Sequence, residues 1–587
     1  VSRTFLSGNE AVARGAWEAG VAVGVGYPGT PSTEALEHLA TLPEVRAEWA
    51  VNEKVALEVG AGVSLAGARS LVTMKHVGLN VAADPLFTLA YTGVRGGLVV
   101  LVADDPGMHS SQNEQDSHNY AAFARVVMLD PSDSQEALDY TRDAFSMSEA
   151  FDIPVLVRST VRVSHAKSLV TTGERHSTTL LEPYQSDPAK WVMMPGMARL
   201  RRLDLDLRMA ELEALADDTV LNREEMRDHS IGIVCSGPVY QHVREAMPQA
   251  STFKLGMTFP LPATRLREFA KRVEKVYVVE EADSYLKRSL CSLGIATEPL
   301  ALPGAGELSP GLIRRAFGLD EPKTRRLSVE LPPRPPGLCA GCPHRPVFYA
   351  LRKVKAVVTG DIGCYTLGAS KPLGAMDTCV DMGASVGMAH GAELGGGFEG
   401  RPVVAVIGDS TFAHSGITGL VNTVYNGGSG TVAILDNRTT AMTGRQGNPI
   451  NGIALQDGSV HEVDLPGLAK ALGAGRVRTV DAQNVEACVE ALVEEVATDE
   501  LSVIIFRAPC ALLEKSSARP FAVDASLCAK CRVCTKLGCP AISVDEDTAS
   551  ASIDAEACVG CGQCVQVCRY GAIVPSGLSC DATGADV

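Results

Sequence analysis

The stretch Val403-Val404-Ala405-Val406-Ile407-Gly408-Asp409-Ser410 decides the reading of this chain, together with its echo Thr431-Val432-Ala433-Ile434-Leu435-Asp436-Asn437. Each is a short apolar, β-branched run that stops at polar residues, the pattern of a buried parallel strand with a loop at its C-terminal end. Open α/β sheets bind ligands at that edge. The two loops then set the Asp409 carboxylate beside the Asn437 side-chain carbonyl, both hard oxygen donors. Mg²⁺ takes few protein oxygens and shares the rest of its octahedron with substrate phosphates. Two ordinary strand-to-loop turns are the competing reading of the same spacing.

Composition narrows the field. A chain of 587 residues implies about three to five domains. Hydrophobic content of 46% and charged content of 21% belong to a globular protein. A net charge of −16 argues against a nucleic-acid footprint. No run approaches the roughly 18 apolar residues of a membrane helix, and the first residues carry no apolar signal core, so the expected location is the cytoplasm. Nine of the seventeen cysteines lie in the last 60 residues. Clustering of that kind in a large chain favours metal over disulfides.

The continuation Ala441-Met442-Thr443-Gly444-Arg445-Gln446 resembles the MTGxQ segment of the thiamine diphosphate (ThDP)-dependent 2-oxoacid:ferredoxin oxidoreductases. The resemblance implies ThDP and Mg²⁺, with Asp409, Asn437 and the backbone carbonyl of Thr439 as metal donors. Gly408, Ser410 and Thr443 would hold the cofactor beside them, and Met382-Gly383-Ala384-Ser385-Val386-Gly387 resembles the loop over its diphosphate, with Gly383 as the contact.

Residues 1–175 read as an α/β domain, the pyrimidine-binding half on this resemblance. The strand Val21–Val25 leads into Tyr27-Pro28-Gly29-Thr30-Pro31-Ser32-Thr33, a turn before a helix whose N–H groups suit an anion. It is similar to the family's substrate loop, where a threonine faces the oxoacid carboxylate, making Thr30 the candidate. ThDP chemistry needs one buried carboxylate beside the aminopyrimidine. Glu53, opening an Ala/Gly-rich helix, occupies the family's position for it, although acids at a first helical turn are common for dipole reasons alone. Thr73–Asn80 follows another strand, with Lys75 and His76 where relatives carry small residues. His76 is taken as a catalytic candidate, and solvated loop residues are the alternative. Leu98–Asp105 is a buried strand, and His109 lies in the polar stretch behind it.

Residues 176–229 read as a helical connector, and residues 230–325 as a second α/β domain. Ser236-Gly237-Pro238 and Phe259-Pro260-Leu261-Pro262 resemble the transketolase C-terminal-type domain, a scaffold. Cys235 and Cys291 are expected as buried apolar residues, Cys379 and Cys488 as structural ones.

Pro332-Pro333-Arg334-Pro335-Pro336 is a stiff linker before residues 335–515, the diphosphate-type domain. Cys339-x2-Cys342 alone fits zinc or redox roles equally. With Gly360-Asp361-Ile362-Gly363-Cys364 and Cys510 it resembles the family's proximal [4Fe–4S] site, although Pro343-His344 stands where the consensus carries glycine.

The tail, residues 520–575, reads Cys528-x2-Cys531-x2-Cys534-x4-Cys539 and then Cys558-x2-Cys561-x2-Cys564-x3-Cys568. Two such runs are a dicluster ferredoxin pattern in which the fourth ligand of each cluster comes from the other half. One cluster therefore takes Cys528, Cys531, Cys534 and Cys568, and the other Cys558, Cys561, Cys564 and Cys539. The first run has four residues rather than three before its last cysteine, and Arg569 stands where proline usually follows. Cys580 falls outside the pattern.

Taken together, the chain is identified as a member of the indolepyruvate branch of the family, its large-subunit type: an α/β multidomain protein with a C-terminal α+β ferredoxin domain. The resemblance implies oxidative decarboxylation of arylpyruvates, indole-3-pyruvate first, with coenzyme A as acyl acceptor and ferredoxin as electron acceptor. It also implies a small gamma-type partner subunit in an assembly of two large and two small chains. A 2-oxoacid enzyme for another acyl substrate stays open. A non-oxidative ThDP decarboxylase or carboligase would have no use for the tail, and a pure electron carrier would need only the tail.

Overall fold

Both β-branched runs become central strands of one parallel sheet, in the second of two compact units, Val1–Ser328 and Val329–Val587. The computed structural model describes residues 2–176, 184–320, 328–332, 335–398, 400–513, 517–545 and 548–577. Cys580 and the linker residues Pro333 and Arg334 lie outside the described residues, as do 177–183 of the connector and 321–327 at the end of the second domain.

The first unit is built on a seven-stranded sheet. Its order is Met257–Phe259, Val127–Leu129, Val155–Thr160, Leu98–Asp104, Ser70–Lys75, Val23–Gly26, Arg46–Trp49. Strands buried on both faces need continuous apolar runs, and Leu98–Val102 is fully buried. The strand Ser70–Lys75 takes in the first three residues of the expected loop, Thr73, Met74 and Lys75, and His76 starts the next helix, His76–Val81.

The connector holds the helices Pro188–Trp191 and Pro195–Asp218 and then a strand, Arg223–Glu225, which joins the next sheet. That four-stranded sheet centres on Asp228–Ser236. Two expectations are corrected here. Met257–Phe259, at the start of the Phe-Pro-Leu-Pro signature, pairs antiparallel with Val127–Leu129 and so belongs to the first sheet. Cys291 is exposed rather than buried, because the helix Tyr285–Ser292 turns Tyr285, Leu286 and Leu290 inward and leaves Cys291 on the opposite face.

A buried ionic cluster links these two sheets. Arg158 donates to Asp104 (2.8 Å) and Asp130 (3.2 Å), and the two ring nitrogens of His118 face Asp116 and Asp130. Burial disfavours a charged ring, but the carboxylates outweigh it and push the His118 pKa up to about 9. Gly237 (φ 52°) belongs here too: a Cβ on it would stand 2.8 Å from Asp130 Oδ1, which gives the Ser-Gly-Pro signature its glycine.

In the second unit a six-stranded parallel sheet runs in the order Thr378–Cys379, Val357–Gly360, Val403–Gly408, Thr431–Asp436, Ser502–Arg507, Arg476–Asp481. Apolar clusters pack both of its faces. The cysteine-rich lobe behind it has two short antiparallel pairs, Phe521–Val523 with Ile573–Pro575 and Ile542–Val544 with Ala551–Ile553. Among the described residues no helix is long and apolar enough to cross a membrane.

Candidate functional site

Register places the diphosphate-type loops. Gly408 pairs with Leu435, so the next residues, Asp409 and Asp436, face each other across neighbouring strand ends. Asp409 opens a short helical turn that passes into a π-helical turn, Phe412–Gly416, a form concentrated at functional sites. Burial, and then the carboxylate of Asp436, push the Asp409 pKa up to about 8. Asp436 has Arg507 at 2.6 Å, whereas among the described residues no ion pair closes on Asp409. A buried carboxylate in that state suits a bound cation, and with the neighbouring amide oxygen it forms a donor set that fits Mg²⁺.

Around it, Asn437 Oδ1 accepts from the Thr439 N–H (3.2 Å), and Asn437 Nδ2 lies 3.5 Å from His344 Nε2. Burial lowers the His344 pKa to about 4, so the ring is neutral and its Nε2 accepts. Thr440 donates to Ser410 Oγ (2.9 Å), and Asn448 Nδ2 approaches Asp409 Oδ2 (3.5 Å). Thr443 is tied to Gln446 through Oγ1–Oε1 (2.6 Å). A Cβ on Gly408 would stand 2.6 Å from the Tyr365 ring, so glycine keeps that ring in place. Gly383 adopts φ 98° and its N–H donates to Asp361 Oδ1 (2.8 Å), while the N–H of Ser385 donates to Asp361 Oδ2 (3.2 Å). Its N–H is thus already engaged by a carboxylate at the start of the helix Ala384–Leu394. His344, Asn448 and Asp361 escaped the sequence reading. Asp361 alone had a visible signal, as the acid ending the strand Val357–Gly360.

In the first unit the C-terminal strand edge gathers most of the other candidates. Glu53 is buried at the start of the helix Glu53–Leu65, whose N-cap Asn52 accepts from the Val55 N–H (2.9 Å). Gly78 leaves room for it: a Cβ there would come within 2.5 Å of Glu53 Oε1. Lys75 Nζ donates to the carbonyl of Ser110 (2.7 Å), and Ser110 Oγ donates to the carbonyl of Thr30 (3.3 Å). His76 is fully buried, with Nε2 3.2 Å from the Asn113 carbonyl and, among the described residues, no hydrogen-bond partner on Nδ1. Burial lowers the Lys75 pKa to about 8 against the opposing carboxylate of Asp105. His109 points elsewhere, half-exposed and 3.6 Å from Glu307.

Twelve of the seventeen cysteines fall into three groups of four. Cys528, Cys531, Cys534 and Cys568 line one cavity. Cys564 lies within electrostatic reach of Cys561, Cys539 and Cys558. In the same way Cys364 is near Cys510 and Cys339, and Cys342 near Cys364 and Cys339. Burial first, and then the neighbouring sulfurs, push the thiols of Cys342 and Cys564 up to about 12 and that of Cys364 to about 11. Thiolates there need compensating cations, which iron–sulfur ligation supplies. Among the described residues no three His, Cys, Asp or Glu side chains gather round a single metal-ion position. A four-iron cluster is larger and takes its thiolates at separate corners. Cys379 and Cys488 contact backbone carbonyls, those of Asp361 and Asp481.

Arg345 joins two of these quartets. It is fully buried, and it donates to the carbonyls of Cys339 (2.9 Å), Leu537 (3.0 Å), Gly538 and Leu338. Gly538 (φ 67°) belongs to the lengthened x4 spacing, and a Cβ on it would press within 3.2 Å of Arg345 Nη1. Arg345→Met leaves these buried carbonyls unpaired, at about 1 kcal/mol or more each. The expected loss is roughly 3 kcal/mol or more, read as a lower anaerobic melting temperature with earlier proteolytic release of the cysteine-rich lobe.

Comparison with known proteins agrees with this layout. Residues 14–201 match the family described as pyruvate flavodoxin/ferredoxin oxidoreductase, thiamine diP-bdg. Residues 361–506 match the thiamine pyrophosphate enzyme, C-terminal TPP binding domain, and residues 551–574 the 4Fe-4S binding domain. The chain is 41% identical to indolepyruvate oxidoreductase subunit IorA of Methanothermobacter marburgensis, over 98% of each chain. It is 37% identical to the protein of the same name from Archaeoglobus fulgidus, again over 98% of each. Among solved structures, 2-oxoglutarate:ferredoxin oxidoreductase from Magnetococcus marinus is similar over 54% of this chain and 65% of its own, at 18% identity and TM-score 0.46.

Proposed function

Because the chain belongs to the family of indolepyruvate oxidoreductase subunit IorA, we propose that it oxidatively decarboxylates arylpyruvates, indole-3-pyruvate first, with coenzyme A, to arylacetyl-CoA and CO₂. It is an oxidoreductase of the indolepyruvate:ferredoxin type that uses ThDP and iron–sulfur clusters. The finer parts of the proposal are the aryl substrate, coenzyme A, Mg²⁺, the third cluster, ferredoxin as acceptor, and an assembly of two large and two small subunits.

One observation carries the redox reading: the Cys510 N–H donates to the carbonyl of Asn437 at 2.9 Å. A quartet cysteine thus sits one hydrogen bond from the diphosphate-type loop. Arg345 then ties that quartet to the Cys539 side of the lobe. A non-oxidative decarboxylase has no use for cysteines so placed.

Bound ThDP supplies the electron sink on which a 2-oxoacid loses CO₂. The chain's residues do the rest in this reading. Asp409, Asn437 and the carbonyl of Thr439 would hold Mg²⁺, with Ser410 and the glycine turns shaping the wall. Glu53 is the carboxylate that would share a proton with the aminopyrimidine of the bound cofactor. Lys75, held against Ser110, presents an ammonium to the substrate carboxylate, with Thr30 and His76 beside it.

Lys75→Met is expected to raise KM for the oxoacid by roughly 10- to 100-fold, the worth of a charged hydrogen bond. The pH dependence has a definite sign. Lys75 is charged below about 8 and loses its proton as pH rises through that value, so wild-type KM rises there. The variant's KM stays flat, as steady-state kinetics across pH will show.

The substrate reading is tested with anaerobic holoenzyme purified with its small subunit. Ferredoxin reduction dependent on both indolepyruvate and coenzyme A, with a kcat/KM above those for pyruvate and 2-oxoglutarate, is the expected result. Preference for an aliphatic oxoacid, or reduction indifferent to coenzyme A, would overturn it.

A further inference from the structure

The two halves of the cysteine-rich lobe share a backbone but not the residues that adopt it. In Cys558-Val559-Gly560-Cys561-Gly562-Gln563-Cys564, the left-handed positions are glycines, Gly560 (φ 69°) and Gly562 (φ 74°). Glycine is the residue that takes such angles without steric cost. The equivalent positions of Cys528-Ala529-Lys530-Cys531-Arg532-Val533-Cys534 are Lys530 and Arg532, both at φ 57°. Two long cations therefore stand where the repeat shows that glycine is easier.

Their surroundings give them a use. Both are exposed and line the same cavity as Cys528, Cys531, Cys534 and Cys568, and Cys531 is itself exposed. Lys536, two residues after Cys534, and Arg569, directly after Cys568, are exposed as well. Among the described residues none of these four side chains forms an ion pair, although the chain as a whole carries −16. Of the five Lys and Arg between residues 517 and 577, only Arg519 lies outside this group.

We propose that Lys530 and Arg532, with Lys536 and Arg569, form the docking rim for an acidic electron-carrier protein at the Cys528/Cys531/Cys534/Cys568 site. The proposal rests on the oxidoreductase reading above and adds where the carrier binds. Opposed charges steer encounter and set its orientation, raising association rates by about 10- to 1000-fold at low salt. A carrier placed here meets this quartet at its exposed cysteine, Cys531.

The test replaces the cations with the residues of the other half, Lys530→Gly and Arg532→Gly together. This relieves a left-handed strain rather than creating one, so folding is not at risk. Anaerobic holoenzyme is assayed with an acidic two-cluster ferredoxin and, separately, with methyl viologen, across ionic strength. The expected result is a fall of about tenfold or more in kcat/KM for ferredoxin at low salt. That difference should vanish near 1 M salt, where the screening length is about 3 Å. Viologen reduction and iron content stay unchanged. An unaltered ferredoxin kcat/KM and salt slope would overturn the proposal. So would parallel loss of viologen reduction, which assigns the cations to the cluster itself. A wild-type enzyme that reduces viologen but no ferredoxin would overturn instead the reading on which the proposal rests.

Discussion

Glu53→Gln is expected to lower kcat by about 10²- to 10⁴-fold, the range of a lost general acid–base group, with iron content and melting temperature close to wild type. The substitution is isosteric and keeps the helix start, because the cap is made by Asn52 rather than by Glu53. What it removes is a carboxylate that can share a proton. Gly78 offers a graded companion. In Gly78→Ala the new Cβ meets Glu53 Oε1 at 2.5 Å, so the carboxylate must shift without losing its chemistry. A misplacement of about 1 Å costs about a hundredfold when geometry controls the rate. Single-turnover decarboxylation by wild type and both variants would separate the two effects. Wild-type rates in Glu53→Gln would remove Glu53 from the chemistry.

Asp409→Asn is expected to abolish stabilisation by Mg²⁺ and ThDP while leaving the ligand-free protein melting no lower than wild type. In that state Asp409 is a buried acid pushed up by burial and by Asp436, so an uncharged isostere removes repulsion instead of a favourable pair. With ligand the sign reverses. A ligand at about 100 times its Kd stabilises the folded state by about 2.7 kcal/mol, and the variant should show none of it. Paired thermal scans with and without Mg²⁺ and ThDP read both halves of the prediction. A variant that melts lower without ligand and still responds to it would show that Asp409 supports the fold and not the cation.

Much of this layout was legible because strands that stop at polar residues announce both their burial and their loops. Val403–Gly408 and Thr431–Asp436 needed no partner information to be read, and the loops carrying Asp409 and Asn437 follow from where those runs end. The tail was legible for a different reason: thiolate spacing is set by the cluster and so is written locally. What stayed hidden depends on register or on distant partners. That Asp409 faces Asp436 follows from the pairing of Gly408 with Leu435, which neither run encodes alone. Asp361 engages Gly383 and Ser385 from more than twenty residues away. Arg345 finds carbonyls 192 and 193 positions along the chain, so its importance could not be read from the Pro-His-Arg segment. Met257–Phe259 crossed to another sheet for the same reason, a pairing with residues near 128. Cys291 was misplaced because a helix of eight residues gives too few apolar positions to fix its inward face. The left-handed cations Lys530 and Arg532 were within reach of the sequence, by laying one half of the repeat over the other.

The central claim is that the diphosphate-type site delivers electrons to cysteine-held clusters on this same chain. Its most direct test is anaerobic holoenzyme, frozen after mixing with indolepyruvate and no external acceptor, and examined by electron paramagnetic resonance alongside iron analysis. The expected result is signals of reduced [4Fe–4S] clusters that require the oxoacid and are missing in Asp409→Asn, with iron near twelve per chain for three quartets, at four irons each. Release of CO₂ while every cluster stays oxidised would contradict it.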